Sequence, residues 1–450
     1  MAKGGMRRAT ALAGSVLLLA AASGCAAYRP ASLPLAPASD PTIADIRADA
    51  ARLGLVGLLP MSIDLSGPLT PTQLGLIAVI ANPDLRAQRA RLGVADAQVF
   101  DAGLLPDPQF SFNFDHPVSG DGLVNAIAAG IGIDVSSLYA RPLKQRSARA
   151  TREQVRLDVA WQEWQTAGKA RLQSARILGL ERGLVLARQA SSLADSALER
   201  TLRAVARGDL SASDLEARRS AAADAGDRVR MVEHDLQAAR FELNAALGLS
   251  PDHQVSLRAA PIRAGAAPPA AGLIQKAYEQ RLDLAALRAG YEAQDANLRS
   301  ALLMQYPRLN LSLNATLDTG AVRTNGVAVS FDLPLWNRNR GAITIEEATR
   351  EQLRAEYEAR LFTMRSEIAA LVGAYDIGVR QRDDLAAQVV PLRQTVEAFE
   401  RAGARGDVAL ITAETARQAL TDKEIALTAL DQALAEQWIA LEMASGALII

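Results

Sequence analysis

The chain repeats itself at a spacing of 198 residues, so any fold assigned to it must have two equivalent halves. Ala150-Thr151-Arg152-Glu153-Gln154 returns as Ala348-Thr349-Arg350-Glu351-Gln352, and Arg207-Gly208-Asp209 returns as Arg405-Gly406-Asp407. Other landmarks keep nearly the same distance: Asp84-Leu85 with Asp283-Leu284 and Pro108 with Pro307 at 199, Gly130 with Gly326 at 196, Gly248 with Gly446 at 198. A unit of about 180 residues is long for a solenoid repeat and natural for a duplicated half-domain.

Along each copy the period of the apolar residues changes. Thr70-Pro71 reads as an N-cap followed by proline at the first helical position, opening a helix of about 30 residues that runs to Gly103. Phe110, Phe112 and Phe114 then alternate with Ser111 and Asn113; in the second copy Leu309, Leu311 and Leu313 alternate with Asn310, Ser312 and Asn314. Period two marks strands with one apolar and one polar face. A second strand follows each, over Ile127 to Leu138 and Val327 to Leu335, so each copy contributes one hairpin of strands near the 9 to 11 residues that cross a bilayer. Beyond the hairpin, Leu143 to Val205 contains no proline, and a helix over that run is about 95 Å long. A turn at Arg207-Gly208-Asp209 leads to a second helix that ends at Leu247-Gly248, with the glycine as C-terminal cap. The second copy repeats this with a helix from Ile345 to Ala402, a turn at Gly403 to Asp407 and a helix to Ser445-Gly446; Pro391 predicts a kink or break. Pro251, Pro261, Pro268 and Pro269 mark a linker between the copies, with a short strand at Val255 to Leu257.

The first residues follow the layout of a secretory signal: Lys3, Arg7 and Arg8, an apolar core from Ala11 to Ala22, then small residues up to Cys25. Ala22-Ser23-Gly24-Cys25 resembles the bacterial lipoprotein processing site, although Ala22 stands where leucine is usual. Cys25 is the only cysteine of 450 residues, which excludes an internal disulfide and a cysteine metal cage; the resemblance implies a covalent lipid on it, the alternative being an ordinary signal peptide with an idle thiol. Ala26 after the cysteine, rather than aspartate, points by the same resemblance to the outer membrane of a Gram-negative bacterium. With 49 basic and 50 acidic residues, the charge balance argues against nucleic acid as partner. Hydrophobic residues make up 49% but aromatic residues only 4%, which suits long helices in close contact. Beyond the signal no stretch has the 18 or so apolar residues of a membrane helix, so a membrane can be crossed only by the strands. The organisation is a signal peptide over 1–24, a lipidated tether over 25–68, a first repeat over 69–250, a linker over 251–272 and a second repeat over 273–450.

Helix, strand hairpin, long helix, turn and helix, twice over behind a lipoprotein signal, resemble the TolC-type outer-membrane efflux family. The resemblance covers about residues 69–447. It is carried by Asn82-Pro83-Asp84-Leu85 and Arg281-Leu282-Asp283-Leu284, by Arg207 to Ser211 with Asp214-Leu215, and by Phe331-Asp332-Leu333-Pro334-Leu335-Trp336 with Asn337 to Gly341. It implies a mainly α fold with a β-barrel portion: a long α-helical barrel plus an outer-membrane β-barrel of 12 strands completed by trimerisation, four strands from each chain. It implies as partners a periplasmic adaptor and an inner-membrane pump of the resistance-nodulation-division class, for a passive channel rather than an enzyme. Leu333 to Gly341 most resembles the branch that serves heavy-metal cation pumps; multidrug and type I secretion channels are the alternatives. A periplasmic adaptor is the rival from another class, and it would carry one helical hairpin and a lipoyl-like domain.

The resemblance makes Gly208, Asp209, Leu210, Ser211, Gly406, Asp407 and Val408 the adaptor-docking tips. The family's gate lies just past the second tip glycine, often as acidic rings; the matching positions are Thr412 and Thr415, with Glu414 between them and Asp214 and Glu216 in the first copy. No catalytic residue, metal site or cofactor other than the lipid on Cys25 is assigned. His116, His234 and His253 share no metal-binding spacing, although His116 beside Asp115 and near Asp121 reads either as a solvated loop or as a loop metal site. Trp161, Trp164 and Trp438 read as packing residues, and Trp336 as either a packing residue or an interfacial anchor.

Overall fold

The computed structural model describes residues 28–35, 40–53, 65, 67–259, 265–405 and 407–448; the signal segment, Cys25 and Gly406 lie outside the described residues. Residues 1–39 form one unit and 40–450 another. Residues 28–35 of the first are exposed and carry no helix or strand. The described part of the second runs α1 (Ile43–Arg52), α2 (Pro71–Ala81), α3 (Pro83–Gly103), β1 (Gln109–Asp115), β2 (Ala126–Asp134), α4 (Val135–Ala206), α5 (Ala212–Leu247), α6 (Ala270–Gln280), α7 (Leu282–Leu303), β3 (Leu309–Leu317), β4 (Arg323–Phe331), α8 (Arg340–Ala404) and α9 (Leu410–Ser445).

The 198-residue spacing is structural as well as textual. Helices α4 and α8 end at Ala206 and Ala404, and α5 and α9 each have 36 residues between equivalent limits. Gly248 and Gly446 close them in the left-handed region, at φ 68° and 74°, a conformation in which a Cβ is strained. Thr70 caps α2 as its sequence indicates, accepting from Gln73 N while Gln73 Oε1 accepts from Thr70 N at 2.8 Å, with Pro71 opening the first turn.

Four boundaries differ from the sequence reading. The helix expected from Thr70 to Gly103 is two helices, because Pro83 supplies no N–H and holds Asn82 extended, and Asn82 Oδ1 starts α3 by accepting from Leu85 N at 2.9 Å. The second copy breaks at the matching Arg281 without proline. Both residues also close the returning helix of their repeat: Asn82 Nδ2 donates to Ala246 O at 3.0 Å and Arg281 Nη1 to Ala444 O at 2.9 Å. Tertiary capping therefore takes over in the second copy from a local proline. Helix α4 begins at Val135, not Leu143, since Asp134 accepts from Ser136 N at 2.8 Å and so ends β2 there, and Pro142 is carried inside the helix. Strand β4 ends at Phe331, before Pro334, and α8 starts at Arg340, where Arg338 and Asn339 have positive φ and Asn339 Nδ2 reaches Ala301 O at 2.8 Å. Pro391 does not break α8, which is helical from Arg340 to Ala404. At 1.5 Å per residue, the 72 residues of α4 and 65 of α8 are about 108 and 98 Å long.

Toward the turns, α4 packs against α5 and α9, and α9 against α8, giving the lateral order α5, α4, α9, α8; toward the strands, α3, α4, α7 and α8 take the same places. Each repeat has its own core. Leu74, Ile77 and Ile80 of α2 pack with Ile177, Leu184, Leu236, Leu243 and Leu247; Leu273 and Ala277 of α6 pack with Met364, Ile368 and Leu441. Leu74 with Leu273, Ala78 with Ala277, and Leu243 with Leu441 are positions of one repeat in two copies. The short strand expected in the linker is a single parallel bridge between Leu257 and Leu69.

Candidate functional site

At one end of the long helices the two hairpins join in one antiparallel sheet of order β1-β2-β3-β4. Its register sorts the side chains onto a largely apolar and a polar face. Phe112 faces Ala129, which faces Ala315; Phe110 faces Ile131, which faces Leu313, which faces Val327. One face therefore carries Phe110, Phe112, Phe114, Ile127, Ile131, Ile133, Leu311, Leu313, Val327 and Val329, largely exposed within the single chain, with Asn325 and Arg323 on the same face toward the β3–β4 turn. The other carries Ser111, Asn113, Asn310, Ser312, Asn314, Thr316, Thr324 and Ser330 with Gly130, Gly132 and Gly326.

Gly130 and Gly326, which marked the repeat in the sequence, fall on one row of this polar face, Ser111-Gly130-Asn314-Gly326. A Cβ on Gly130 would stand 2.3 Å from Asn314 Oδ1 and 2.8 Å from Ser111 Oγ, so its absence makes room for the amide. Among the described residues no strand pairs with the outer edge of β1 or of β4. β1 has seven residues and β2, β3 and β4 nine each, so β2 stops short of the expected Leu138 and β4 keeps the expected length but lies four residues earlier than Val327 to Leu335. Nine residues rise about 30 Å, which at a barrel tilt near 40° covers about 23 Å, close to the apolar band of an outer-membrane barrel. In lipid an open edge leaves its backbone groups unsatisfied.

At the other end lie the two turns, built alike. Asp209 N donates to Ala204 O and Asp407 N to Ala402 O, both at 2.9 Å. Arg207 Nε meets Asp209 Oδ2 and Arg405 Nε meets Asp407 Oδ2, also both at 2.9 Å. Gly208, at φ 82° with open space around it, is the residue that lets the first turn reverse. Leu210 is half-buried, and Asp209, Ser211 and Asp407 are exposed. The turns differ in capping: Ser211 and Asp214 form a reciprocal capping box, whereas Ala409 offers no side chain to α9.

The five candidate gate residues are not gathered into one acidic cluster. Asp214 accepts from Ser211 N at 3.0 Å, and its hydrogen bonds to Ser211 hold the carboxyl below its ordinary range. Glu216 pairs with Arg219 of its own helix at 2.7 Å. Glu414 forms an ion pair with Arg200, across the seam between the repeats. Thr412 is exposed, and Thr415 Oγ1 donates to Ile411 O at 2.8 Å. Arg200 was not singled out by the sequence, although Arg200, Arg203 and Arg207 follow the i, i+3, i+7 spacing of one helix face.

The same seam is pinned nearer the strands by buried Glu442 of α9, which pairs with Arg171 of α4 and accepts from Trp438 Nε1 at 3.2 Å. Trp438 lies 5.4 Å from Tyr375 and Trp161 is buried under Arg281, whose guanidinium sits 4.7 Å from its ring centre, as packing residues would. Trp164 donates to Met443 O at 3.3 Å. Buried Arg281 and Asp283 and half-buried Arg360 form a triad at the head of α7, with Arg281 Nη2 at 2.7 Å and Arg360 Nε at 2.6 Å from Asp283 Oδ2. Burial pushes the Asp283 carboxyl up, and the two guanidiniums outweigh it and hold it below its ordinary range. Trp336 is 86% exposed, so among the described residues it is little packed. His116 Nδ1 lies 2.7 Å from Asn125 Oδ1 across its loop.

Comparison with known proteins places these features. The family description "Outer membrane efflux protein" matches residues 273–447. The chain is 25% identical over 338 residues to the cobalt-zinc-cadmium resistance protein CzcC of Cupriavidus metallidurans, covering 74% of this chain and 77% of that one. Its fold is that of solved outer-membrane channels: the channel OprN superimposes with a TM-score of 0.69 at 16% identity, over 93% of this chain and 98% of that one. CusC superimposes with a TM-score of 0.64 at 16% identity, over 86% and 95%.

Proposed function

We propose that this chain, an outer membrane efflux protein by its second repeat and by its fold, is the outer-membrane channel of a tripartite efflux system for heavy-metal cations. Three copies supply four strands each to one closed barrel, and their long helices continue it as a tube through the periplasm. The observation that carries this reading is the open-edged sheet, apolar on one face and polar on the other, at the head of helices about 100 Å long. The lateral order α5, α4, α9, α8 leaves α5 and α8 as outer helices, so a neighbouring copy meets the same geometry that α4 and α9 meet within the chain.

The work of such a protein is passive. The wall keeps lipid and periplasm out, and energy comes from the inner-membrane pump, of the resistance-nodulation-division class, through an adaptor that docks on the turns at Gly208 to Ser211 and Gly406 to Val408. A lipid on Cys25 holds the N-terminal tether to the outer membrane. The similarity to a cobalt-zinc-cadmium resistance protein supports divalent heavy-metal cations as the cargo. The test is deletion, followed by growth on graded cobalt, zinc, cadmium and copper and on a drug panel. Metal sensitivity reversed by the intact chain is the expected result. Drug sensitivity alone reassigns the channel to a multidrug system, and unchanged growth on every agent overturns the reading.

A further inference from the structure

The two turns share a backbone but not a charge pattern. Between the end of α4, the start of α5 and the start of α9 lies a notch of about 310 Å³, lined by Arg200, Arg203, Arg207, Arg218, Ile411 and Glu414. Glu414 answers Arg200, and Asp209 answers Arg207. Asp214, the carboxylate whose charge Arg218 feels, is turned to the Ser211 hydroxyl and backbone N–H. Glu216 is paired with Arg219. Among the described residues Arg203 and Arg218 have no carboxylate within ion-pair distance, Arg218 feeling Asp214 only at longer range, so the notch holds two guanidiniums without a contact ion pair above an apolar wall.

The second repeat cannot build the same notch. The positions 198 residues after Arg200 and Arg218 are Ala398 and Ala416, and the remaining two arginines are Arg401 and Arg405, the latter held by Asp407. The basic notch therefore exists once per chain, on the seam between its own two hairpins. A guanidinium presents a planar fork that matches a carboxylate, and exposed charges of this kind set register and encounter rate more than total affinity.

We propose that this notch seats an aspartate or glutamate at the hairpin turn of the periplasmic adaptor, with Arg203 and Arg218 as its two ligands, and so tells one docking groove from the other. This rests on the reading of the chain as an adaptor-docked channel. The test uses the full chain in its outer membrane with a photo-crosslinker at Ser213, and the adaptor is taken as the periplasmic protein that crosslinks to the wild-type turn and whose deletion gives the same sensitivity. Arg203→Glu with Arg218→Glu is compared with the neutral pair Arg203→Gln with Arg218→Gln. The reversed pair is expected to leave heat-modifiable trimers intact and to lower adaptor crosslinking and metal resistance about tenfold, the neutral pair less. Exchange of the adaptor's turn carboxylate for lysine is expected to restore the reversed pair. Wild-type crosslinking in the reversed pair, or no rescue by any charge exchange in the adaptor, overturns the proposal. Loss of trimers in the reversed pair also overturns it and gives the notch to a neighbouring copy. Absence of any adaptor crosslink to the wild-type chain overturns the function reading itself, a result distinct from the others.

Discussion

Leu313 and Ser312 are neighbours in β3 that the register sends to opposite faces, and replacing each with arginine tests which face meets lipid. Leu313 is the middle residue of Leu309–Leu317, flanked across the sheet by Ile131 and Val327. Four residues on either side put it about 13 Å along the strand from each end, or about 10 Å in depth at a tilt near 40°, which is the bilayer midplane. An arginine on the lipid face at that depth costs about 2–4 kcal/mol. With one copy in each chain, a trimer loses about 6–12 kcal/mol, a large part of any assembly's stability. Ser312 faces Gly132 and Ala328 across the polar face, where a long cation enters water instead of lipid. The assay is the amount of heat-modifiable trimer in outer-membrane fractions, followed by urea unfolding of the purified protein in bilayers. Leu313→Arg is expected to abolish or strongly destabilise the trimer, and Ser312→Arg to assemble near normally. Equal damage from both, or greater damage from Ser312→Arg, refutes the face assignment and the barrel with it.

Gly130→Val is expected to cost about 1–3 kcal/mol in the same unfolding assay, because its side chain enters the space of Asn314 and Ser111, while Gly326→Val, with nothing within 4 Å of its Cβ, costs less. Equal losses would remove the packing role of Gly130. Asp283 has its carboxyl held below the ordinary range of about 3.9, so the stability it contributes is complete above that value and is lost as pH falls through the folded-state value. Asp283→Asn is expected to lower stability at pH 7 and to flatten the acid limb of stability against pH below about 4; an unchanged limb would show that the triad does not titrate with unfolding. Cys25→Ser is expected to abolish incorporation of labelled palmitate while trimers still form, and labelling that persists would place the lipid elsewhere.

The duplication, the alternating strands, the capped turns and the glycines at Gly248 and Gly446 were legible in the sequence because each rests on a local rule: period, cap chemistry, or a backbone conformation that only glycine takes at little cost. Helix limits were legible only where a local signal agreed with the packing. Pro142 lies inside α4 and Pro391 inside α8, since tertiary contacts along some 100 Å of helix outweigh one missing hydrogen bond, about 3 kcal/mol each. The break at Arg281 has no proline to announce it, as Pro83 does in the first copy; there the guanidinium is held by Ala444 O, Asp283 and Trp161.

Tertiary structure alone decided which charges meet. Glu414 is a gate candidate by its place past the second turn, and the antiparallel pairing of α4 with α9 sets it against Arg200, 214 residues away. The same pairing brings Arg171 to Glu442, since ion pairs across a seam depend on helix phase, which no run of local sequence encodes. By itself the sequence determined the kind of object, two copies of one strand hairpin with two long helices, because periodicity and capping act within a few residues. The fold determined its chemistry, because charge and packing depend on what lies across the seam.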